Sequence, residues 1–256
     1  MRVASWNVNS LRVRQEHVSN WLHDQAADVL GLQEIKMPTA DFPAEAFQAA
    51  GYHAVANGQK TYNGVALLSR KAPEDVSLDL PGFTDSQKRV IAATYGELRV
   101  INLYVPNGQS VGSDKYKYKL EWLDALQTYL QEELARYPRL VVMGDFNIAP
   151  DDRDVHDPET WRDKVLCSAP ERERLAGLLS LGLEDSFRIF EQPDAVFSWW
   201  DYRAAAFRRK LGLRIDLLLV SAELAKDCTA SSVDAKPRRL ERPSDHAPVY
   251  VDFNET

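Results

Sequence analysis

Cysteine is scarce in this sequence of 256 residues, with only Cys167 and Cys228 present. Two thiols so far apart make neither a disulfide framework nor a zinc-ligand spacing, and they read as the reduced cysteines of a cytoplasmic protein. Long apolar runs are missing too. None approaches the roughly 20 residues that span a bilayer, so no membrane role is expected. The opening MRVASWNVNSL is too polar for a secretory segment. There is no glycine-rich nucleotide loop, no repeat at a solenoid period and no low-complexity linker. Positive charge is in deficit: 31 Lys and Arg against 38 Asp and Glu give a net charge of −7. Alone, that argues mildly against a nucleic-acid partner. Net charge does not say where the charges sit, however, and a site for a divalent cation must itself carry surplus carboxylates.

What is present is an ordinary globular composition, 45% hydrophobic and 27% charged, read as one domain over residues 1–256. Apolar, β-branched runs predict strands at Arg2–Val8, Asp28–Leu32, Val65–Ser69, Val90–Tyr95, Leu98–Val105, Leu140–Met143, Ile215–Val220 and Val249–Phe253. A helix follows Ser10, a candidate cap, with Leu11, Val18, Trp21 and Leu22 on one face. Further helices are expected over Phe42–Gly51, Lys115–Arg136 and Pro170–Leu181, the last with Pro170 in its first turn and Gly182 past its end. Lys115, Lys117 and Lys119 crowd one helix start, either as a solvated face or as phosphate contacts. Asp151–Ser168 is long and acidic for a loop, which marks it as a candidate functional segment. Strands and helices interleave from end to end, as in packed sheets with helices outside.

The stretch that organises this pattern is LVVMGDFNIAP, Leu140–Pro150. A buried strand ends in Asp145 and Asn147, which an extended chain presents on one side. Other apolar strands end alike, in Asn7, Glu34 and Tyr104, or begin with Asp216, or follow Asp245 and His246. Each could be an ordinary polar turn. Taken together, they form an oxygen-rich ligand set with little nitrogen, which suits a hard cation such as Mg²⁺ or Mn²⁺. Magnesium commonly binds through one or two carboxylates plus substrate phosphate, so the set points to phosphoryl chemistry. Without a nucleotide loop, a phosphate diester or monoester is the better substrate than ATP. FSWWDY at Phe197–Tyr202, followed by Arg203, Arg208, Arg209, Lys210 and Arg214, adds aromatic and basic residues suited to a nucleic acid.

The motifs WNVNSLR (Trp6–Arg12), LQEIK (Leu32–Lys36), NLYVPNG (Asn102–Gly108), GDFNIAP (Gly144–Pro150), FSWWDYR (Phe197–Arg203), LRID (Leu213–Asp216) and SDHAPV (Ser244–Val249) occur in order along nearly the whole chain. In them the sequence resembles the exonuclease III class of abasic-site endonucleases, within the endonuclease/exonuclease/phosphatase superfamily. The resemblance implies a four-layer α/β sandwich, DNase I-like, in which two packed mixed β-sheets are flanked by helices. It implies a monomer that hydrolyses duplex DNA at abasic sites, nicks and blocked 3′ ends.

By the same resemblance Glu34 is the main metal ligand, with Asn7 and Asp245 nearby and Asp145, Asn147 and His246 within the metal site. Asp145 activates the attacking water or assists the leaving group. Asn147 orients the phosphate or water, His246 paired with Asp216 binds the scissile phosphate, and Tyr104 and Asn107 line it. Asn9, Lys36, Trp199, Leu213, Arg203, Arg208 and Arg209 are expected against DNA, Trp199 with Leu213 and Ile215 forming an apolar sugar pocket. Trp199 and Trp200 could instead be core aromatics, Trp200 more readily than Trp199. The segment Trp161–Glu173 departs from the family's usual pattern, and Leu166 is a candidate for narrowing that pocket. Two further readings stay open: a phosphatase acting on a lipid or small molecule, and a binding protein that has lost catalysis.

Overall fold

Side chains alternate across a strand, and here that alternation sorts the chain into layers. The computed structural model describes residues 1–254. In chain order its strands are β1 (Arg2–Asn7), β2 (Val29–Gln33), β3 (His53–Asn57), β4 (Val65–Ser69), β5 (Glu74–Leu78), β6 (Val90–Tyr95), β7 (Leu98–Tyr104), β8 (Leu140–Asp145), β9 (Leu183–Asp185), β10 (Trp199–Trp200), β11 (Gly212–Leu213), β12 (Asp216–Ser221), β13 (Cys228–Val233) and β14 (Val249–Phe253). The helices are α1 (Leu11–Gln25), α2 (Ala44–Ala49), α3 (Asp114–Arg136), α4 (Pro158–Trp161), α5 (Ala169–Leu179) and α6 (Ala222–Ala225). Two six-stranded sheets form, ordered β13-β14-β1-β2-β4-β3 and β5-β6-β7-β8-β12-β9, with β10 and β11 as a separate ribbon. Both large sheets are mixed: β1–β2 and β7–β8 are parallel and the other pairs antiparallel. Among the described residues no helix is long and apolar enough to cross a membrane.

Val3, Val29, Val65 and Leu67 of the first sheet meet Val100, Val141, Met143, Leu218 and Val220 of the second in one interior. The alternate residues, Ala4, Trp6, Leu30, Leu32 and Leu68, face outward onto Leu11, Val18, Trp21 and Leu22 of α1 and Phe47 of α2. Ile101, Leu103, Val142, Leu217 and Leu219 likewise bury against Trp122, Leu123, Leu126 and Leu130 of α3 and Leu175 and Leu178 of α5. The result is the four-layer α/β sandwich that the resemblance implied.

The inner faces are apolar along most of their length and turn polar at one rim. Asn7, Asp145 and Asp216 share parity with Val3, Val141 and Leu218, so they point between the sheets. β1, β2, β7 and β8 end at this rim, and β12 and β14 begin there. Just beneath it, buried Asn102 of the second sheet donates to the carbonyls of Leu32 (2.9 Å) and Ala66 (2.8 Å) in the first. Its own oxygen accepts from Gln33 at 2.6 Å, and Gln33 also donates to Ser5 Oγ at 2.9 Å. Gly31 leaves the space for this crossing, because a Cβ there would lie 2.8 Å from Asn102 and 2.6 Å from Met143.

Three local expectations are corrected. Ser10 makes no side-chain cap bond; its φ is +88° and its backbone N–H donates to the Glu34 carbonyl at 2.8 Å. The helix expected over Phe42–Gly51 is shorter, Ala44–Ala49. The four edge strands β3, β5, β9 and β13 were not expected. β5 is mostly exposed (Glu74, Asp75, Val76 and Leu78), so it carries no buried face to betray it.

Gly144 sits opposite Leu103 where β7 and β8 run parallel, with φ +151°. A Cβ at Gly144 would stand 1.8 Å from the Leu103 carbonyl oxygen. Gly144→Ala must therefore part the strands that deliver Tyr104 and Asp145, and should cost at least about 3 kcal/mol. Urea unfolding checks this; a midpoint matching that of the parent would show that the strands separate freely.

Candidate active site

At the rim, Asp145 reaches from the second sheet toward Asn7 and Glu34 of the first. Asn7 Nδ2 donates to Asp145 Oδ2 at 2.9 Å and to Glu34 Oε1 at 3.0 Å, clasping the two carboxylates. One ligand atom each of Glu34, Asp145 and His246 lies within 4.8 Å of the others. His246 Nδ1 stands 2.9 Å from Asp216 Oδ2, and its Nε2 stands 3.6 Å from Asp145 Oδ2. Burial opposes a charge on the imidazole, but the Asp216 and Asp145 carboxylates outweigh it and raise its pKa well above the usual value. The ring is therefore an imidazolium at neutral pH, with Nε2 aimed into the group. Burial, with Asp216 and Glu34 adding to it, holds the Asp145 pKa up. Glu34 and Asp145 form a carboxylate pair whose surplus negative charge a divalent cation would relieve, so the donor set fits a hard metal ion.

The backbone supports this convergence. Asn9, Glu34, Lys36 and Asn147 all adopt left-handed φ, between +43° and +54°. Non-glycine residues hold that conformation at a cost, repaid here by the contacts it aims. Lys36 Nζ bonds Asn9 Oδ1 at 2.6 Å and pairs with Glu34 Oε2 at 3.1 Å. The Asn147 backbone N–H donates to Asp145 Oδ1 at 2.9 Å, and its side-chain amide donates to the Val105 carbonyl at 3.0 Å. Asn107 Nδ2 donates to Asn147 Oδ1 at 3.3 Å. Tyr104 lies beside Glu34 and Asp145; burial and those carboxylates push its pKa well up, so it stays a neutral donor.

The family described as endonuclease/exonuclease/phosphatase matches residues 4–246. The chain belongs to that family. It is 38% identical to exodeoxyribonuclease III of Haemophilus influenzae, over 99% of this chain and 100% of that one. A Neisseria 3′ phosphatase solved with a product DNA hairpin superposes with a TM-score of 0.98, at 50% identity and full coverage of both chains. An AP endonuclease from Archaeoglobus fulgidus superposes with a TM-score of 0.96 at 38% identity, again with both chains fully covered. The exonuclease III resemblance read from the motifs is thereby borne out.

Within the family's fold, not every predicted residue lands where expected. Asn7 faces the carboxylates with its amide nitrogen, while its oxygen accepts from the Asn9 N–H at 3.0 Å, so in this orientation it clasps Glu34 and Asp145. The Asn147 oxygen is likewise turned to Asn107. Asp245 stands outside the Glu34–Asp145–His246 group, its oxygens accepting from Asn9 Nδ2 and Trp199 Nε1, both at 3.0 Å. Trp199 is half-buried, with Trp161 edge-on at 6.4 Å. Leu213 and Ile215 are wholly buried behind it, in one cluster with Leu166. Trp200 is a core residue against Phe207.

Arg203, Arg208 and Arg209 are exposed. Arg214 is not. It is buried between Asp154 and Asp185, because the apolar run beginning at Ile215 pulls it inside, so it cannot reach a DNA phosphate. Lys119 is neither on a solvated face nor at a phosphate: it is wholly buried and paired with Glu171.

Several supporting residues escaped the sequence reading. Ser198 Oγ accepts the Ile215 and Asp216 N–H groups, both at 3.0 Å, fixing the carboxylate behind His246. Ser244 Oγ donates to the Asn7 carbonyl at 2.6 Å, and Trp6 Nε1 to the His246 carbonyl at 3.2 Å. A lone serine or a core tryptophan carries no chemical signature; only the flanking motifs could have drawn attention to them.

The charge on His246 rests on Asp216. Asp216→Asn removes the carboxylate that most favours the imidazolium, so the ring pKa should fall by about 2 units or more. A ¹⁵N NMR titration of His246 measures this directly. An unchanged pKa would mean that Asp145 alone sustains the charge.

Proposed function

We propose that this chain is a divalent-cation-dependent DNA-repair phosphodiesterase, using Mg²⁺ or Mn²⁺ to hydrolyse phosphate esters at blocked 3′ ends and abasic sites of duplex DNA. The observation that carries the reading is the gathering of Glu34, Asp145 and the His246 imidazolium within 4.8 Å at one rim of the sheets. Phosphoryl transfer needs neutralised equatorial oxygens, an in-line nucleophile and a stabilised leaving oxygen. Glu34, with Asp145 beside it, would hold the cation, which when bound offsets phosphate charge and lowers the pKa of water. The residues then divide the work. His246 Nε2 donates to a non-bridging phosphate oxygen, and Asp216 keeps the ring charged and oriented. Asp145, its pKa held up by burial, accepts the proton of the attacking water. Asn107 and Asn147 orient the phosphate, and neutral Tyr104 donates to it. Exposed Arg203, Arg208 and Arg209 supply backbone contacts along the duplex.

The activities named for the relatives support a DNA substrate: a 3′ phosphatase at 50% identity and an AP endonuclease at 38%. The lipid or small-molecule phosphatase reading is less well supported, because the aromatic and arginine ribbon beside the site has no use there. Trimming of 3′ ends is favoured over internal incision. Trp161 packs edge-on against Trp199, and Leu166 shares a cluster with Leu213 and Ile215 behind it, an arrangement that supports a pocket narrowed against a flipped sugar.

Glu34→Ala should lower kcat/KM at least about 1000-fold while leaving the circular dichroism spectrum unchanged, and chelation should silence the parent. Near-parental turnover by a folded Glu34→Ala protein would remove the metal from the reading. A duplex nicked with a 3′-phosphate should be processed at least about tenfold faster than an internal abasic duplex, some 1.4 kcal/mol, and Trp161→Ala should narrow the gap. Equal rates would refute the narrowed pocket. Binding should weaken steeply with salt, as for any polyanion; a flat profile would favour a small-molecule substrate.

A further inference from the structure

A lysine with no solvent exposure needs a reason, because burying an ammonium is costly unless every proton is used. Lys119 of α3 is 0% exposed. Its ammonium group faces three acceptors, matching its three protons. It bonds the Asn147 carbonyl at 2.7 Å, the Asn107 carbonyl at 3.2 Å and the Glu171 carboxylate. Two of these acceptors are the backbone oxygens of the amides assigned above to the phosphate. Glu171, equally buried, is held in turn: Oε1, the oxygen that Lys119 bonds, also accepts the Leu166 N–H at 3.0 Å, and Oε2 accepts the Ser168 N–H at 3.2 Å and the Ser168 hydroxyl. Tyr116, one turn before Lys119, closes the ring with a 2.6 Å bond to Ser168 Oγ. The chain at Gly108 is pressed between the Lys119 stem and Val165, where a Cβ would meet them at 3.0 and 3.3 Å.

We infer that Lys119 is a positioning residue, which through its bonds to the Asn107 and Asn147 carbonyls and to Glu171 sets the phosphate-orienting amides in fixed relation to the 166–168 wall of the Trp199 pocket. It touches no substrate. Its effect runs through two backbone carbonyls, so that rotating either peptide swings the side-chain amide away from the phosphate. An error of about 1 Å in such placement costs on the order of 100-fold in rate. A plain buried ion pair would need only Glu171; the two carbonyls that complete the Lys119 shell are what tie it to the site. The inference rests on the phosphoesterase reading for its consequence in catalysis, but not for its geometry.

The test compares the parent with Lys119→Met/Glu171→Gln, which removes both charges together and so avoids a buried unpaired carboxylate; replacing both partners of a buried pair is often neutral for stability. The control is Tyr116→Phe, which removes the bond to Ser168 on the same wall but leaves all three Lys119 bonds in place. On a duplex with a 3′-phosphate, the double variant should lose at least about 30-fold in kcat with KM changed less than about threefold, because orientation in the transition state is lost rather than binding. Tyr116→Phe, with Lys119 and Glu171 kept, should hold kcat within about fivefold of the parent. In the free protein, the side-chain amide resonances of Asn107 and Asn147 should shift in the double variant and not in Tyr116→Phe. A folded double variant with parental kcat and unmoved amides overturns the proposal. If the double variant does not fold, Lys119→Arg carries the same comparison, because a guanidinium cannot place three donors on those three oxygens. A parent inactive on every DNA ester would defeat the functional reading, while the amide resonances would still decide the part of Lys119.

Discussion

Asn102 is the point on which the two halves of the molecule are aligned. The apolar interior between the sheets is non-directional and would tolerate a slide of one sheet over the other. Hydrogen bonds from Asn102 to the Leu32 and Ala66 carbonyls, and from Gln33 to Asn102, do not tolerate it. Buried polar groups must find partners, so this set admits only one register between the sheets. That register matters because the site is shared. Asn7, Glu34 and His246 belong to the first sheet and its flanking turns, Tyr104, Asp145 and Asp216 to the second. A displacement of one residue spacing would separate Asp145 from Asn7 and Asp216 from His246.

Charge at the rim is arranged in opposition. Carboxylates outnumber cations, and the left-handed turns at Asn9, Glu34, Lys36 and Asn147 bring them closer than relaxed chain would. Asn7, Lys36 and His246 offset part of the repulsion through their bonds to Glu34, Asp145 and Asp216. What remains is a negative well beside a charged imidazole, a combination that attracts a cation and a phosphate together. The acidity of the whole chain is thus no obstacle to a polyanionic partner, since the local balance at the site differs from the global one.

The sequence revealed the buried strands and the residues at their ends, because period-two alternation and β-branching are strong signals and a polar residue closing an apolar run stands out. It did not reveal β3, β5, β9 and β13, whose edge positions leave them with too little buried surface to pattern. It placed Asp145, His246, Asp216 and Glu34 together through the motifs, but left the orientation of Asn7 open and misjudged Arg214. An amide has a donor and an acceptor end, and sequence does not say which will turn inward. Basic residues near an aromatic run look alike in one dimension, whether they stay in solvent, like Arg208, or are buried against Asp154 and Asp185, like Arg214. Lys119 shows the same limit: two neighbouring lysines of its helix are exposed, and only the third coordinate distinguishes it.

The pairing of β1 with β14 has a consequence for when the site can exist. Trp6 and the His246 carbonyl it binds are separated by 240 positions, so the rim is assembled from the first and last parts of the chain. Long-range pairings of this kind form late in folding, after shorter loops have closed. A growing polypeptide that has not yet delivered His246 has the acidic half of the well without its imidazole. The complete rim is thereby withheld from the unfinished molecule, and a nick in the backbone that releases β14 would break it open again.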